Sequence, residues 1–166
     1  MKLLHLLRHA KSSWDDPNLR DAERPLAPRG RKATKRMAAH LRRQKIRPEL
    51  VLCSTALRAR ETLEGIRPAL AGVPARFEEG LYGAGAQELL DRLHALDDAV
   101  GSVMMIGHNP GLQDLALLLA GEGADLPRLR EKFPTGALAT FEVETWWGLG
   151  PGSARLQALV VPRELR

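Results

Sequence analysis

The chain has 166 residues, a length that fits one domain around a single hydrophobic core. Hydrophobic residues form 44% of it and charged residues 27%, as in ordinary globular proteins, and no apolar stretch is long enough to cross a bilayer. Lys and Arg outnumber Asp and Glu by 25 to 20. The excess lies between Arg20 and Arg47, so this region either favours anionic partners or is a solvated helix face.

Cysteine usage and the start of the chain bear on its compartment. Cys53 is the only cysteine, so no intramolecular disulfide can form and nothing indicates an oxidising compartment. Its neighbours Val51 and Leu52 predict a buried thiol. The apolar run at the N-terminus ends at Arg8, which is too short for a signal peptide. We therefore expect a cytoplasmic protein whose residues 1–166 form one domain.

The first half of the chain alternates between predicted strands and helices. Lys2 to Leu7 has apolar residues without polar alternation, which is typical of a strand buried on both faces. The polar loop from Lys11 to Pro28 is long enough to favour a functional role. Gly30 to Lys45 carries apolar residues four positions apart, the stripe of an amphipathic helix. A strand at Leu50 to Cys53 and a helix from about Ser54 to Pro68 follow.

The second half repeats this alternation and then departs from it. The predicted elements are a strand at Arg76–Glu78, a helix at Ala86–Leu96, a strand at Val103–Ile106, a helix at Leu112–Ala120, and strands at Gly136–Thr145 and Ser153–Val161. Alternating strands and helices predict a three-layer α/β/α sandwich around a mostly parallel, mixed six-stranded sheet. Only a Gly- and Pro-rich turn separates the last two strands, so at least one member of the sheet is antiparallel.

Three separate segments bring cationic side chains to one edge of this sheet. Arg8 and His9 follow the first strand, Arg58 follows the second, and His108 follows the fourth. Ligands of such sheets bind where the carboxyl ends of the strands meet. Guanidinium groups match phosphate oxygens, and a neutral imidazole is a capable nucleophile near neutral pH. The four residues predict a phosphate site without a metal ion, and the sequence has no convincing metal-binding motif.

The same residues resemble the motifs of the histidine phosphatase superfamily, also called the phosphoglycerate mutase-like or RHG family. The resemblance spans essentially the whole chain, and four motifs agree in order and spacing. Ala10 is the clearest departure, because the family signature Arg-His-Gly has glycine there. The short chain and its Arg-His-Ala-Lys-Ser start are most similar to the SixA branch of phosphohistidine phosphatases. The matching segments are Arg8-His9-Ala10, Glu23 to Gly30, Ser54 with Arg58-Ala59 and Thr62, and Gly107-His108-Asn109-Pro110.

The resemblance implies a phosphoglycerate mutase-like fold and a transiently phosphorylated His9. The phosphate pocket would then be formed by Arg8, Arg58 and His108. Lys11 and Ser12 follow the nucleophile closely. They either contact phosphate through a side chain or a backbone N–H group, or lie outside the pocket.

The proton donor for the leaving group is an open question at this point. Larger family members place a Glu or Asp after the third strand, and Glu79 is the candidate here, with a plain surface charge as the alternative. The donor can also be missing, because an imidazole leaves phosphorus more readily than an alkoxide does. Its absence would favour phosphohistidine over alkyl esters as substrate. Further candidates for the proton donor are three carboxylates of the first long loop, which are equally typical of turns: Asp15, Asp16 and Asp21.

We expect a metal-independent phosphatase that needs no cofactor. Its substrate would be a phosphorylated protein, such as one carrying phosphohistidine, or a small anionic phosphometabolite. The alternative is a catalytically weak module that binds phosphate or phosphoproteins. With 4% aromatic residues and no recognised motif, neither nucleic acid nor a membrane is an expected partner. A monomer is the expected state. Trp14, in the first long loop, either anchors the packing or contacts substrate.

Overall fold

A mixed seven-stranded sheet forms the centre of the computed structural model, which describes residues 1–165. The strands are β1 (Lys2–Arg8), β2 (Leu50–Ser54), β3 (Ala75–Glu78), β4 (Ser102–Gly107), β5 (Ala120–Glu122), β6 (Leu138–Val143) and β7 (Ala154–Val160). Their order in the sheet is β3-β2-β4-β1-β6-β7-β5. β6 runs antiparallel to both of its neighbours, and the other paired strands are parallel.

Helices cover both faces of the sheet. They are α1 (Pro28–Arg43), α2 (Leu57–Ile66), α3 (Ala86–His94), α4 (Gly111–Leu119) and α5 (Leu126–Glu131). One core cluster joins Met37 and Leu63 of α1 and α2 to Leu7 of β1. A second cluster joins Leu4 and Leu6 of the same strand to α3, α4 and α5. Successive residues of β1 point to opposite faces, so its uninterrupted run of buried residues reflects helices on both sides.

The predicted three-layer α/β fold is confirmed, but the prediction of six strands is wrong. The additional strand, β5, has three residues and pairs parallel with β7 at the edge of the sheet. Such a short segment carries no alternating pattern, and the sequence places Ala120 in the predicted helix before it. The pairing depends on close backbone approach, because a Cβ atom at Gly121 would meet the carbonyl of Gly152. That approach is a tertiary contact, which local sequence does not encode.

The other differences concern the ends of elements. The helix expected from about Ser54 begins at Leu57. Ser54 is instead the last residue of β2, and its hydroxyl lies 2.7 Å from Nε2 of His108. It ends at Ile66, before a 3-10 turn that contains Pro68. Within residues 1–165, no helix has both the length and the apolar character needed to span a membrane.

The strand registers bring the site residues to one level. Arg8 of β1 lies opposite Gly107 of β4, and Cys53 of β2 lies opposite Ile106. Residues that directly follow these positions therefore emerge at the same edge. The two arms of the long loop after β1 are joined by an isolated antiparallel β-bridge between Ser12 and Leu26.

Candidate active site

His9 lies at the carboxyl end of β1, buried and oriented by its own backbone. Its Nδ1 is 2.7 Å from the carbonyl oxygen of Ala10, and because a carbonyl only accepts, Nδ1 carries the proton. Nε2 is left with a free electron pair. Burial, helped by the charges of His108, Arg58 and Arg8, lowers the pKa of His9 to about 3, although the Ala10 hydrogen bond acts in the opposite direction. The imidazole is therefore neutral and nucleophilic at pH 7.

The backbone around His9 is fixed by contacts to two other elements. The N–H of His9 donates to the carbonyl of Gly107 at 3.0 Å. Thr62 Oγ1 accepts the N–H of Ala10 at 2.9 Å and donates to the carbonyl of Arg58 at 2.7 Å. Thr62 thus connects the nucleophile's loop to the arginine on α2. Ala10 does not occupy the left-handed region, so alanine fits where the family signature has glycine.

His108 faces His9 across the site, with ring centroids 5.2 Å apart. Its Nε2 is 2.7 Å from Ser54 Oγ, which also accepts the N–H of Ala56 at 3.2 Å. Its Nδ1 is buried without a hydrogen-bond partner. Burial, followed by the charge of Arg58, lowers the pKa of His108 to about 4. When Ser54 donates to Nε2, the neutral ring presents an Nδ1–H donor to the site.

Arg8 also has a buried side-chain nitrogen, Nε, without a hydrogen-bond partner in residues 1–165. Its Nη1 donates to the carbonyl of Phe133 at 3.1 Å, and Asn109 Nδ2 donates to the same oxygen at 3.0 Å. The guanidinium is therefore held at one end while Nε–H remains free. Buried donors of this kind usually have an acceptor, and ligand oxygens are the natural candidates in a cationic site.

Arg58 on α2 is held by Asp21, a contact that the sequence did not reveal. Its Nη2 donates to Asp21 Oδ2 at 2.9 Å and its Nη1 donates to the Asp21 carbonyl at 2.7 Å. Arg24 and Tyr82 donate to the same carboxylate at 3.0 and 2.6 Å. The Tyr82 hydrogen bond, with those of Arg58 and Arg24, holds the pKa of Asp21 well below its usual range. Asp21 is thus an ionised anchor and is poorly suited to donate a proton.

Tyr82 is a site residue that the sequence analysis missed. Its ring lies edge-on to His108, with centroids 5.5 Å apart, while its hydroxyl binds Asp21. It follows the short 3-10 turn after β3, next to the strand that delivers Ser54. The available signal was its place at the carboxyl end of a predicted strand, the same criterion that identified the other site residues.

The remaining sequence candidates lie away from this cluster or are already engaged. Ser12 Oγ accepts a hydrogen bond from Arg24 Nη2 at 2.5 Å, and Ser12 belongs to the β-bridge that joins the two arms of the loop. The side chain of Lys11 lines a separate cleft beside α1. Glu79 is exposed in the turn after β3, and its side chain has no hydrogen bond or ion pair to any residue in the range 1–165. Its neighbour Glu78 is paired with Arg92.

Taken together, the geometry places the free Nε2 of a neutral His9 in a cluster with His108 and the two arginines Arg8 and Arg58. These side chains come from three different segments of the chain, the end of β1, α2 and the loop after β4. Over residues 1–165, no group of three or more His, Cys, Asp or Glu side chains is placed to hold a metal ion. The two unpartnered nitrogens are donors of the kind that phosphoryl oxygens accept from.

Comparisons with known proteins agree with this chemistry. The model of the histidine phosphatase superfamily (branch 1) matches residues 4–92. The Mycobacterium tuberculosis protein Rv1276c, itself uncharacterised, is 38% identical over 164 residues, covering 95% of this chain and 100% of the relative. The uncharacterised chloroplast protein At3g52155 of Arabidopsis thaliana is 31% identical, covering 96% of this chain and 77% of its own.

Two solved structures superpose on nearly the whole chain. One, assigned as a phosphohistidine phosphatase SixA from Agrobacterium tumefaciens, has a TM-score of 0.85 and 31% identity, covering 97% of this chain and 98% of that chain. The protein histidine phosphatase SixA in complex with tungstate has a TM-score of 0.81 and 27% identity, covering 98% of each. The chain belongs to branch 1 of the histidine phosphatase superfamily and is a phosphohydrolase.

Proposed function

We propose that the chain hydrolyses phosphohistidine on proteins through a phosphorylated intermediate on His9. The observation that carries this proposal is the neutral His9 ring with a free Nε2, 5.2 Å from the ring of His108, together with the unpartnered buried nitrogens of Arg8 and His108. The sequence and structural similarity to SixA phosphatases supports the substrate class. A cytoplasmic location and independence from metals stay predictions of this proposal.

In the first step, His9 Nε2 attacks phosphorus while the bond from phosphorus to the substrate nitrogen breaks. Donors from Arg8, Arg58 and His108 neutralise the equatorial oxygens, which is the main demand of phosphoryl transfer. The substrate ring, protonated from solvent at its second nitrogen, departs as neutral imidazole. In the second step, water attacks phospho-His9, releases inorganic phosphate and restores the neutral ring.

The nature of the leaving group supports the proposed preference for phosphohistidine. Asp21 is the carboxylate bound within the site, and its hydrogen bonds keep it ionised. Glu79 stays a candidate acid from the sequence alone. An imidazole ring has an ordinary pKa of about 6.5, so the second ring nitrogen of phosphohistidine can be protonated from solvent and the ring leaves as neutral imidazole, whereas an alkoxide needs a positioned acid. The site therefore favours hydrolysis of a phosphoramidate over that of an alkyl ester.

The direct test is to trap the intermediate. The protein is mixed with a peptide carrying ³²P-phosphohistidine, quenched in alkali, and assayed for acid-labile label on the protein. We expect label on wild type and on His40→Asn, a histidine of α1 outside the site, and none on His9→Asn. Full turnover by His9→Asn would contradict the mechanism.

A panel of phosphorylated compounds separates the remaining possibilities. Phosphohistidine, phosphotyrosine and phosphoserine peptides and a sugar phosphate are compared by kcat/KM. We expect the phosphohistidine peptide to be the preferred substrate. Preference for the sugar phosphate would instead indicate a metabolite phosphatase. Binding of the phosphohistidine peptide without release of phosphate from any compound would indicate a phosphate-recognising module.

A further inference from the structure

A second cationic feature lies beside the active site and takes no part in the proposed chemistry. It is a cleft of about 460 Å³ between the loop after β1, the first turns of α1, and the segments 132–135 and 161–163. We call it the basic cleft. Its cationic lining consists of Lys11, Arg29, Lys32, Arg36, Lys132 and Arg163.

The charge of the basic cleft is not compensated by the protein. None of the six cations has an ion-pair partner within residues 1–165, and no carboxylate lies among the lining residues. Other arginines of the fold are paired, such as Arg92 with Glu78 and Arg128 with Glu164. Like charges gathered in a concave surface repel one another and focus a positive potential, which an anionic ligand would relieve.

The sequence arranges these cations from both ends of the chain. Arg29, Lys32 and Arg36 are spaced by three and four residues, so they share one face of α1. Lys132 and Arg163 reach the same cleft from segments that flank β6 and β7. Convergence of cations from distant segments on one cleft is more than the solvated face of a single helix.

The basic cleft opens at the same edge of the sheet as His9. Leu7 of β1 lies opposite Leu138 of β6, which lies opposite Val160 of β7, so the segments that line the cleft leave the sheet at one level. The segment before β6 forms a shared wall. On one side its Phe133 carbonyl binds Arg8, and on the other Thr135 lines the cleft.

We propose that the basic cleft docks an acidic segment of the phosphorylated protein substrate. This rests on the proposed function, because it assigns the partner that presents phosphohistidine to His9. None of Arg8, His9, Arg58 and His108 lines the cleft, so a ligand that reaches both sites has to extend past the shared wall. A protein surface can do so. The lining holds no aromatic side chain on which bases would stack, which disfavours single-stranded nucleic acid.

The test compares two peptides that differ only in the flank of the histidine, a run of Glu or the same run of Gln. Unphosphorylated, fluorescein-labelled forms are titrated by anisotropy at about 50 mM salt, where surface charges are weakly screened. We expect the Glu peptide to bind at least about tenfold more tightly than the Gln peptide. This readout needs no turnover, so it is independent of the proposed reaction.

Two charge-matched variants locate the binding. Lys32→Glu with Arg36→Glu should abolish the preference for the Glu peptide. Lys35→Glu with Arg43→Glu changes the net charge equally from exposed positions of the same helix outside the cleft, and should retain it. With phosphorylated peptides as substrates, Lys32→Glu with Arg36→Glu should also raise KM for the Glu peptide.

Three outcomes would overturn the proposal. The first is equal binding of the two peptides to the wild-type protein. The second is loss of the preference to the same extent in both double variants. In the third, labelled oligothymidylate of equal charge would bind more tightly than the Glu peptide and lose affinity in Lys32→Glu/Arg36→Glu. That result would make the basic cleft a nucleic-acid site.

Discussion

Acidification should destabilise this fold through three buried histidines. His5, His9 and His108 are each less than a tenth exposed. Burial is the leading cause that lowers the pKa of His5 to about 4, of His9 to about 3 and of His108 to about 4. In the unfolded chain each titrates near its ordinary pKa of about 6.5. The unfolded state therefore binds protons first as the pH falls, and stability declines with it.

The size of the effect follows from these shifts. Between about pH 6.5 and pH 5, each unfolded histidine gains a proton that its folded counterpart does not, at about 1.4 kcal/mol per pH unit. That is about 2 kcal/mol for each residue and about 6 kcal/mol for the three together. For a domain of this size, about 2–4 °C of Tm accompanies each kcal/mol, so Tm should fall by about 12 °C or more. Above about pH 6.5 the contribution is fully present.

Thermal denaturation followed by circular dichroism at pH 7 and pH 5 measures the difference. His5→Asn provides the internal control, because its amide can occupy the place of Nδ1 beside Thr140 Oγ1, 2.9 Å away. Whatever this variant does to Tm at pH 7, its loss between the two pH values should shrink by about a third. A wild-type change below about 4 °C, or an unchanged loss in His5→Asn, would refute the reasoning.

Three substitutions test individual contacts of the site. Ser54→Ala removes the hydroxyl that orients His108, so kcat should fall about ten- to a hundredfold with the fold retained, measured by steady-state kinetics and circular dichroism; unchanged kcat would contradict the assigned tautomer. Thr62→Val leaves the N–H of Ala10 buried without an acceptor and should cost about 1–3 kcal/mol in urea denaturation, whereas Thr62→Ser should restore most of it. Glu79→Gln should change kcat on phosphohistidine less than about threefold, because Glu79 is exposed and unbonded; a hundredfold loss would identify it as the acid.

The four central residues were predictable because buried strands are easily recognised in the sequence. Arg8, His9 and His108 directly follow continuous apolar runs whose parallel pairing aligns their carboxyl ends. Arg58 lies four residues after the second strand, at the second position of α2. Once the strands are identified, the general behaviour of α/β sheets brings these side chains together without any knowledge of the loops.

Asp21 was not predictable in this way. Asp21 lies in a long loop whose path depends on the Ser12 to Leu26 bridge and on the packing of α1, where a Cβ atom at Gly30 would meet the carbonyl of Lys11. An aspartate in a polar loop has an equally good role in a turn. Its three donors come from sequence positions up to 61 residues away, and only tertiary structure unites them.

The basic cleft shows the same division between local and tertiary information. The cationic stretch around α1 is evident in the sequence, and its spacing places Arg29, Lys32 and Arg36 on one helix face. Whether that face is merely solvated depends on what lies opposite. Lys132 and Arg163 lie opposite that face, and their approach follows from the antiparallel β6 and the return of β7, which local sequence does not encode.

The protonation state of Asp21 in the active site and the charge of the basic cleft favour the same kind of substrate, a phosphorylated protein. A carboxylate that accepts hydrogen bonds from Arg58, Arg24 and Tyr82 holds Arg58 in place, and for that reason cannot serve as an acid at neutral pH. In the proposed reaction the leaving group therefore departs without help from this carboxylate, and an imidazole is among the few side chains that can depart from phosphorus without a positioned acid. Selectivity for the bond that breaks would thus arise at Asp21, while selectivity for the protein that carries it would arise in the basic cleft. The two can be altered separately, because no residue of one belongs to the other.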